Sequence, residues 1–84
     1  MSKAQKLVTK ALAVLLLRHQ NHLNDQKALV EIRSLLDRTE DSGTGTASDQ
    51  VKLVRKTMQQ HKENSLTNQQ AMSELRRILA FAAP

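Results

Sequence analysis

Few side chains in this sequence have the type and spacing to do chemistry. His19 and His22 stand three residues apart, which would bring two imidazoles onto one helical face. A zinc ion needs three or four ligands, and no carboxylate or further His stands at a supporting spacing. There is no Cys to supply a thiolate. Both histidines are therefore expected at the solvated surface, with no metal. His61 closes an apolar stripe and is expected half-buried near a helix end, not as a general base. Glu40 and Asp41 are adjacent in a polar segment and are expected to face solvent. Gly43-Thr44-Gly45 lacks the further Gly, the Lys and the preceding strand of a phosphate-binding loop. No G-x-S-x-G motif and no cysteine nucleophile are present. No residue set here builds a catalytic constellation, so the expectation is a non-enzymatic protein without a cofactor, acting by binding.

What it binds is constrained by charge. The formal net charge is +5, which suits an acidic partner, an anionic membrane surface or nucleic acid. Lys3, Lys6, Lys10 and Arg18 precede any acid, Lys52, Arg55 and Lys56 form a second basic cluster, and residues 37–49 are acidic. The plain alternative for the second cluster is a solvated helix face. A small, basic, helical chain also describes many helix-turn-helix proteins. Against nucleic acid, acids interleave with bases in the second half, and the middle Ser/Gly/Thr segment is too long for a tight helix-turn-helix turn. One Phe with neither Tyr nor Trp provides no stacking platform for single strands.

These groups must be positioned by helices. Ala, Leu, Gln, Lys, Arg and Glu are good helix formers, and β-branched residues do not alternate as in strands. The spacing predicts helices over residues 2–20, 25–38, 48–62 and 68–82, with a flexible loop over 39–47. In the first, Leu7, Ala11, Val14 and Leu15 form one face, and Leu12, Leu16 and Leu17 widen it. A helix apolar that far round is central in a bundle or touches a partner. The first case is expected; the second is a helix-pairing adaptor. In the second helix Leu29, Ile32 and Leu36 recur, with Ala28 and Leu35 beside them, and Asn24 or Asp25 is the expected N-cap. No Gly or Pro lies in 18–24, and Leu16, Leu23 and Val30 would also fit one continuous helix. A break at 21–24 is favoured, because so long a helix needs an equally long partner.

Ser42, Gly43, Thr44 and Gly45 mark the loop. Ser48 is the expected cap of the third helix, with Asp49 suiting its dipole. Val51, Val54, Met58 and His61 trace its stripe, with Leu53 aside. The fourth helix has the best local signature. Thr67 and Gln70 match a capping box, with Leu66 at the staple position opposite Ala71. Met72, Leu75, Ile78, Leu79 and Ala82 supply the expected buried face, and Arg76 and Arg77 fall in the later turns. The expected fold is all-α: one antiparallel four-helix bundle over residues 1–84. No stretch is long and apolar enough to span a bilayer. The basic start and the apolar run Ala11–Leu17 are not followed by a small-residue cleavage site, so an intact cytoplasmic protein is expected.

The order of parts resembles a known family. A basic, Leu-rich first helix precedes a second that ends in Ile32-Arg33-Ser34-Leu35-Leu36. A polar loop and a basic third helix follow. The chain closes on Asn64-Ser65-Leu66-Thr67-Asn68-Gln69-Gln70, leading into Met72 and Leu75-Arg76-Arg77-Ile78. This pattern resembles the enterocin A-type immunity proteins, small four-helix bundles that protect lactic-acid bacteria from class IIa (pediocin-like) bacteriocins. The resemblance implies immunity by binding: from the cytosolic side, the protein would engage a mannose phosphotransferase membrane component held by the bacteriocin, with peripheral contact to the inner face of an anionic membrane. It also implies that specificity lies in the C-terminal half. There Lys52, Arg55, Lys56, Arg76 and Arg77 are candidate contacts, together with Phe81 as an exposed aromatic anchor. For Phe81 the competing expectation is a cap on the core.

Overall fold

The computed structural model describes residues 2–40 and 43–83. Over these residues the chain is all helix and connection: α1 Lys3–His19, α2 Asp25–Asp37, α3 Thr46–Lys62 and α4 Asn68–Ile78. Each start has a local cause. Ser2 caps α1, its hydroxyl accepting from the Gln5 amide at 3.1 Å, and Asn24 caps α2, accepting from the Lys27 amide at 2.8 Å. The break between α1 and α2 is therefore real. It is fixed by Asn21 in the left-handed region (φ 63°) and a bond from the His22 amide to the Leu17 carbonyl at 2.9 Å. Arg18 Nε then donates to Asp25 Oδ1 at 2.5 Å, tying the end of α1 to the start of α2.

α3 corrects the expected start. It begins at Thr46, and Gly45 occupies the cap position without a side-chain bond. Gly45 has φ 113° and ψ 177°, a region essentially reserved for glycine, and this conformation turns the chain into the helix early. Ser48 is consequently not the cap but a buried residue inside the first turn. α4 starts as expected: Thr67 Oγ1 accepts from the Gln70 amide at 3.1 Å, and Gln70 Oε1 accepts from the Thr67 amide at 2.9 Å. It ends earlier than residue 82, because Ala80 adopts φ 52° and the Phe81 amide folds back onto the Arg76 carbonyl at 2.9 Å. This reversal takes Ala82 off the helical face, and it is exposed.

The helices make two antiparallel hairpins, α1–α2 and α3–α4, that pack on each other. α1 lies mainly against α2 and α3, α4 lies mainly against α3 and α2, and α1 and α4 barely meet. The order around the bundle is thus α1, α2, α4, α3. The molecule measures 32 × 31 × 20 Å, so its thin dimension is two helix diameters. Leu7 and Leu15 from α1, Ile32 from α2, Val51 and Val54 from α3, and Met72 and Leu75 from α4 are fully buried at its centre. Each such side chain contributes about 1.5–3 kcal/mol relative to an exposed one. Leu66 packs against this core, and Ala71 is fully buried within it.

Candidate functional site

The exposed cations of α3 are Lys52, Lys56 and Lys62, the first two one turn apart on the face opposite Val51, Val54 and Met58. Arg55 is not part of that face. It is half-buried on the flank toward α2, and its Nη2 donates to the Thr39 carbonyl at 2.8 Å, closing the end of α2 onto α3. It lines a small depression with Arg33, Asp37, Met58 and Lys62. Arg55 therefore spends its guanidinium on the fold, as a group anchoring a carbonyl where a helix has run out of partners.

Arg76 and Arg77 both stand in the last turn of α4, where positive charge favours the helix dipole. Successive helical residues point about 100° apart, and the two differ accordingly. Arg77 is exposed and ion-paired with Glu74, Nη2 to Oε2 at 2.5 Å. Arg76 is half-buried, and its carbonyl accepts the reversed tail. Phe81 is not an exposed anchor. The turn at Ala80 lays it half-buried against α1, its ring edge-on to His19 with centroids 6.2 Å apart. It belongs to a shallow groove of about 440 Å³ with Leu12, Ala13, Leu16, Ala80 and Ala82. The six residues therefore divide: Lys52, Lys56 and Arg77 face solvent, Arg55 and Phe81 join one hairpin to the other, and Arg76 is half-buried in the last turn of α4.

The histidines are placed as their spacing implied. His19 and His22 are exposed, and His61 is half-buried. His61 bridges elements: Nε2 meets Asn68 Oδ1 at 2.6 Å and Nδ1 meets Arg33 Nη2 at 3.5 Å. Those partners make Nε2 the donor and Nδ1 the acceptor, a structural use of the ring at the α3–α4 turn. Among the described residues no three His, Cys, Asp or Glu side chains gather to hold a metal ion. Glu40 is exposed, and its neighbour Asp41 lies outside the described residues. Also among the described residues, no helix is long and apolar enough to cross a membrane.

Two features lay beyond sequence reasoning. Gln50 Nε2 donates to the Ile78 carbonyl at 3.2 Å, satisfying the end of α4 from the start of α3. Lys3, Lys6 and Lys10 line one cleft with Arg38 across the α1–α2 hairpin. In the sequence the lysines show only as cations ahead of any acid; the arrival of Arg38 depends on how the hairpin closes. The widened apolar face of α1 is resolved in part: Leu12 and Leu16 are half-buried, while Leu17 is 40% exposed. Comparison with known proteins found no matching family model, no matching curated sequence and no matching solved structure.

Proposed function

We propose that the protein confers immunity to a class IIa bacteriocin by binding, from the cytosolic side, the membrane receptor component that the bacteriocin holds, with peripheral contact to the inner face of the membrane. The reading rests on the resemblance in the order of parts. The observation that carries it is the α3–α4 hairpin, its second helix started by the Thr67–Gln70 box, which presents Lys52, Lys56 and Arg77 to solvent. A packed hairpin holds such a surface in one geometry, which reduces the ordering cost of binding. Arg55 and Phe81 serve the reading indirectly, by fixing the hairpin against α2 and α1.

Expression in a bacteriocin-sensitive strain, followed by challenge with a panel of pediocin-like peptides, tests it. Survival against at least one peptide is expected, with loss of protection in the triple variant Lys52→Gln, Lys56→Gln, Arg77→Gln. Unchanged killing by every peptide overturns it.

A further inference from the structure

α1 carries four cations and no acid: Lys3, Lys6, Lys10 and Arg18. Arg18 is engaged with Asp25. Lys3, Lys6 and Lys10 are exposed, and their spacing sets them along one stripe of the helix. With Arg38 from the end of α2 they line a cleft of about 200 Å³ whose apolar floor is Leu7 and Leu35. Arg38 donates to the Ser34 carbonyl at 3.2 Å and the Ser34 hydroxyl at 3.3 Å, which holds its side chain along α2. Asp37 and Glu40 are exposed nearby in sequence, but among the described residues no acid lines the cleft. Folding does not ask for this arrangement. The start of a helix favours acids and disfavours cations, and α1 has no acid in its first turn.

Along the helix axis the same stripe changes character. Ala13 follows Lys6, and Leu17 follows Lys10, each two turns on. Leu17 is 40% exposed, and beside it runs the apolar groove of Leu12, Ala13, Leu16 and Phe81. The exposed side of α1 therefore carries cations in its N-terminal half and Ala13 and Leu17 in its C-terminal half, with Leu12 and Leu16 of the groove about 100° further round the helix.

We propose that this face of α1, with Lys3, Lys6, Lys10 and Arg38 at one end and Leu17 and the Phe81 groove at the other, docks on an anionic phospholipid surface. Charge complementarity identifies the occupant. Long lysine side chains reach headgroup phosphates while their stems cover apolar surface. The apolar half meets the boundary between headgroups and acyl chains. A nucleic-acid backbone would satisfy the cations and leave the apolar half without a partner. The inference deepens the peripheral location proposed above and rests on it. It uses a different face from Lys52, Lys56 and Arg77, so a failure of vesicle binding is distinguishable from a failure of protection against the bacteriocin.

The test is co-sedimentation of the full chain with vesicles of phosphatidylcholine, alone or mixed with phosphatidylglycerol. Binding is expected only to the anionic vesicles, and it should weaken as salt screens the surface. Each lysine near such a surface is worth about fivefold in partitioning. Lys6→Gln with Lys10→Gln should therefore weaken binding about 25-fold. Lys52→Gln with Lys56→Gln removes the same charge from α3 and should weaken it less than about threefold, through net charge alone. Leu17→Ser should weaken binding and leave its salt dependence unchanged. Thermal melting of each variant checks that the fold persists. Failure to bind anionic vesicles overturns the proposal, as does equal loss from the two lysine pairs. Displacement by inorganic phosphate at constant ionic strength would also overturn it, showing a small-anion site instead.

Discussion

Thr67→Ala tests the most local determinant of the fold. The substitution removes the hydroxyl that accepts from the Gln70 amide, and it loosens the geometry that lets Gln70 return a bond to the Thr67 amide. Loss of a Thr cap costs about 0.5–2 kcal/mol, typically near 1. The residue is exposed, so water recovers part of the lost bonding, and the expected cost is about 1 kcal/mol. α4 has 11 residues, too few to hold as an isolated helix, so the loss should appear in the global transition and not as local fraying. For a domain of this size it lowers the midpoint by about 4–8 °C. Thermal unfolding followed by far-ultraviolet circular dichroism measures this, with urea unfolding as an independent check. Thr67→Ser should restore most of the loss. Gln70→Ala should cost less, and the double variant should cost less than the sum, because each bond helps position the other. A Thr67→Ala midpoint within about 1 °C of the parent, against the 4–8 °C expected, would refute the reasoning.

Three further outcomes follow from the geometry. Ala80→Gly should stabilise the protein by about 0.5–1 kcal/mol: the left-handed conformation costs an L-residue roughly 1–2 kcal/mol, partly offset by the greater freedom of glycine in the unfolded chain. A lower urea midpoint in that variant would contradict it. Arg55→Ala should cost about 1–3 kcal/mol, by removing a charged donor from the half-buried Thr39 carbonyl, while Lys52→Ala stays within about 0.5 kcal/mol of the parent. Equal urea midpoints for the two would show that Arg55 does not anchor α2. Phe81→Ala should cost about 1–1.5 kcal/mol by exposing Leu12 and Leu16, and calorimetry showing no change would return Phe81 to the role of a free aromatic.

The sequence was legible where one residue acts alone on its own backbone. Asn24, Thr67 with Gln70, and the Gly43–Gly45 break each carry a local mechanism, and each stands where that mechanism needs it. The core stripe was legible for the same reason, since helical period decides which side chains can share a face. Helix ends governed by backbone conformation were not. Ala80 gives no sign of a left-handed residue, whereas Asn21 and Asn64, in the same conformation, are of a type that commonly adopts it. The α3 start was misplaced because Gly45 caps through its backbone. The candidate site was legible only as a roster of cations. Whether a cation faces solvent, as Lys52 does, or caps a carbonyl, as Arg55 does, depends on the approach of another helix.

The pairing of neighbouring helices into hairpins bears on how the chain reaches its native state. α1 with α2, and α3 with α4, each close over a short connection, so much of the packing joins residues near in sequence. Topologies of that kind fold in microseconds to milliseconds. The pairing of Arg18 with Asp25 and of His61 with Asn68 could form before the hairpins meet. Substitutions at those turns should then slow refolding. Substitutions between hairpins, such as at Arg55, whose partner carbonyl on Thr39 is reached only when α3 packs against the end of α2, should chiefly speed unfolding. The lifetime of the folded molecule would accordingly be set at the seams and its rate of formation at the turns.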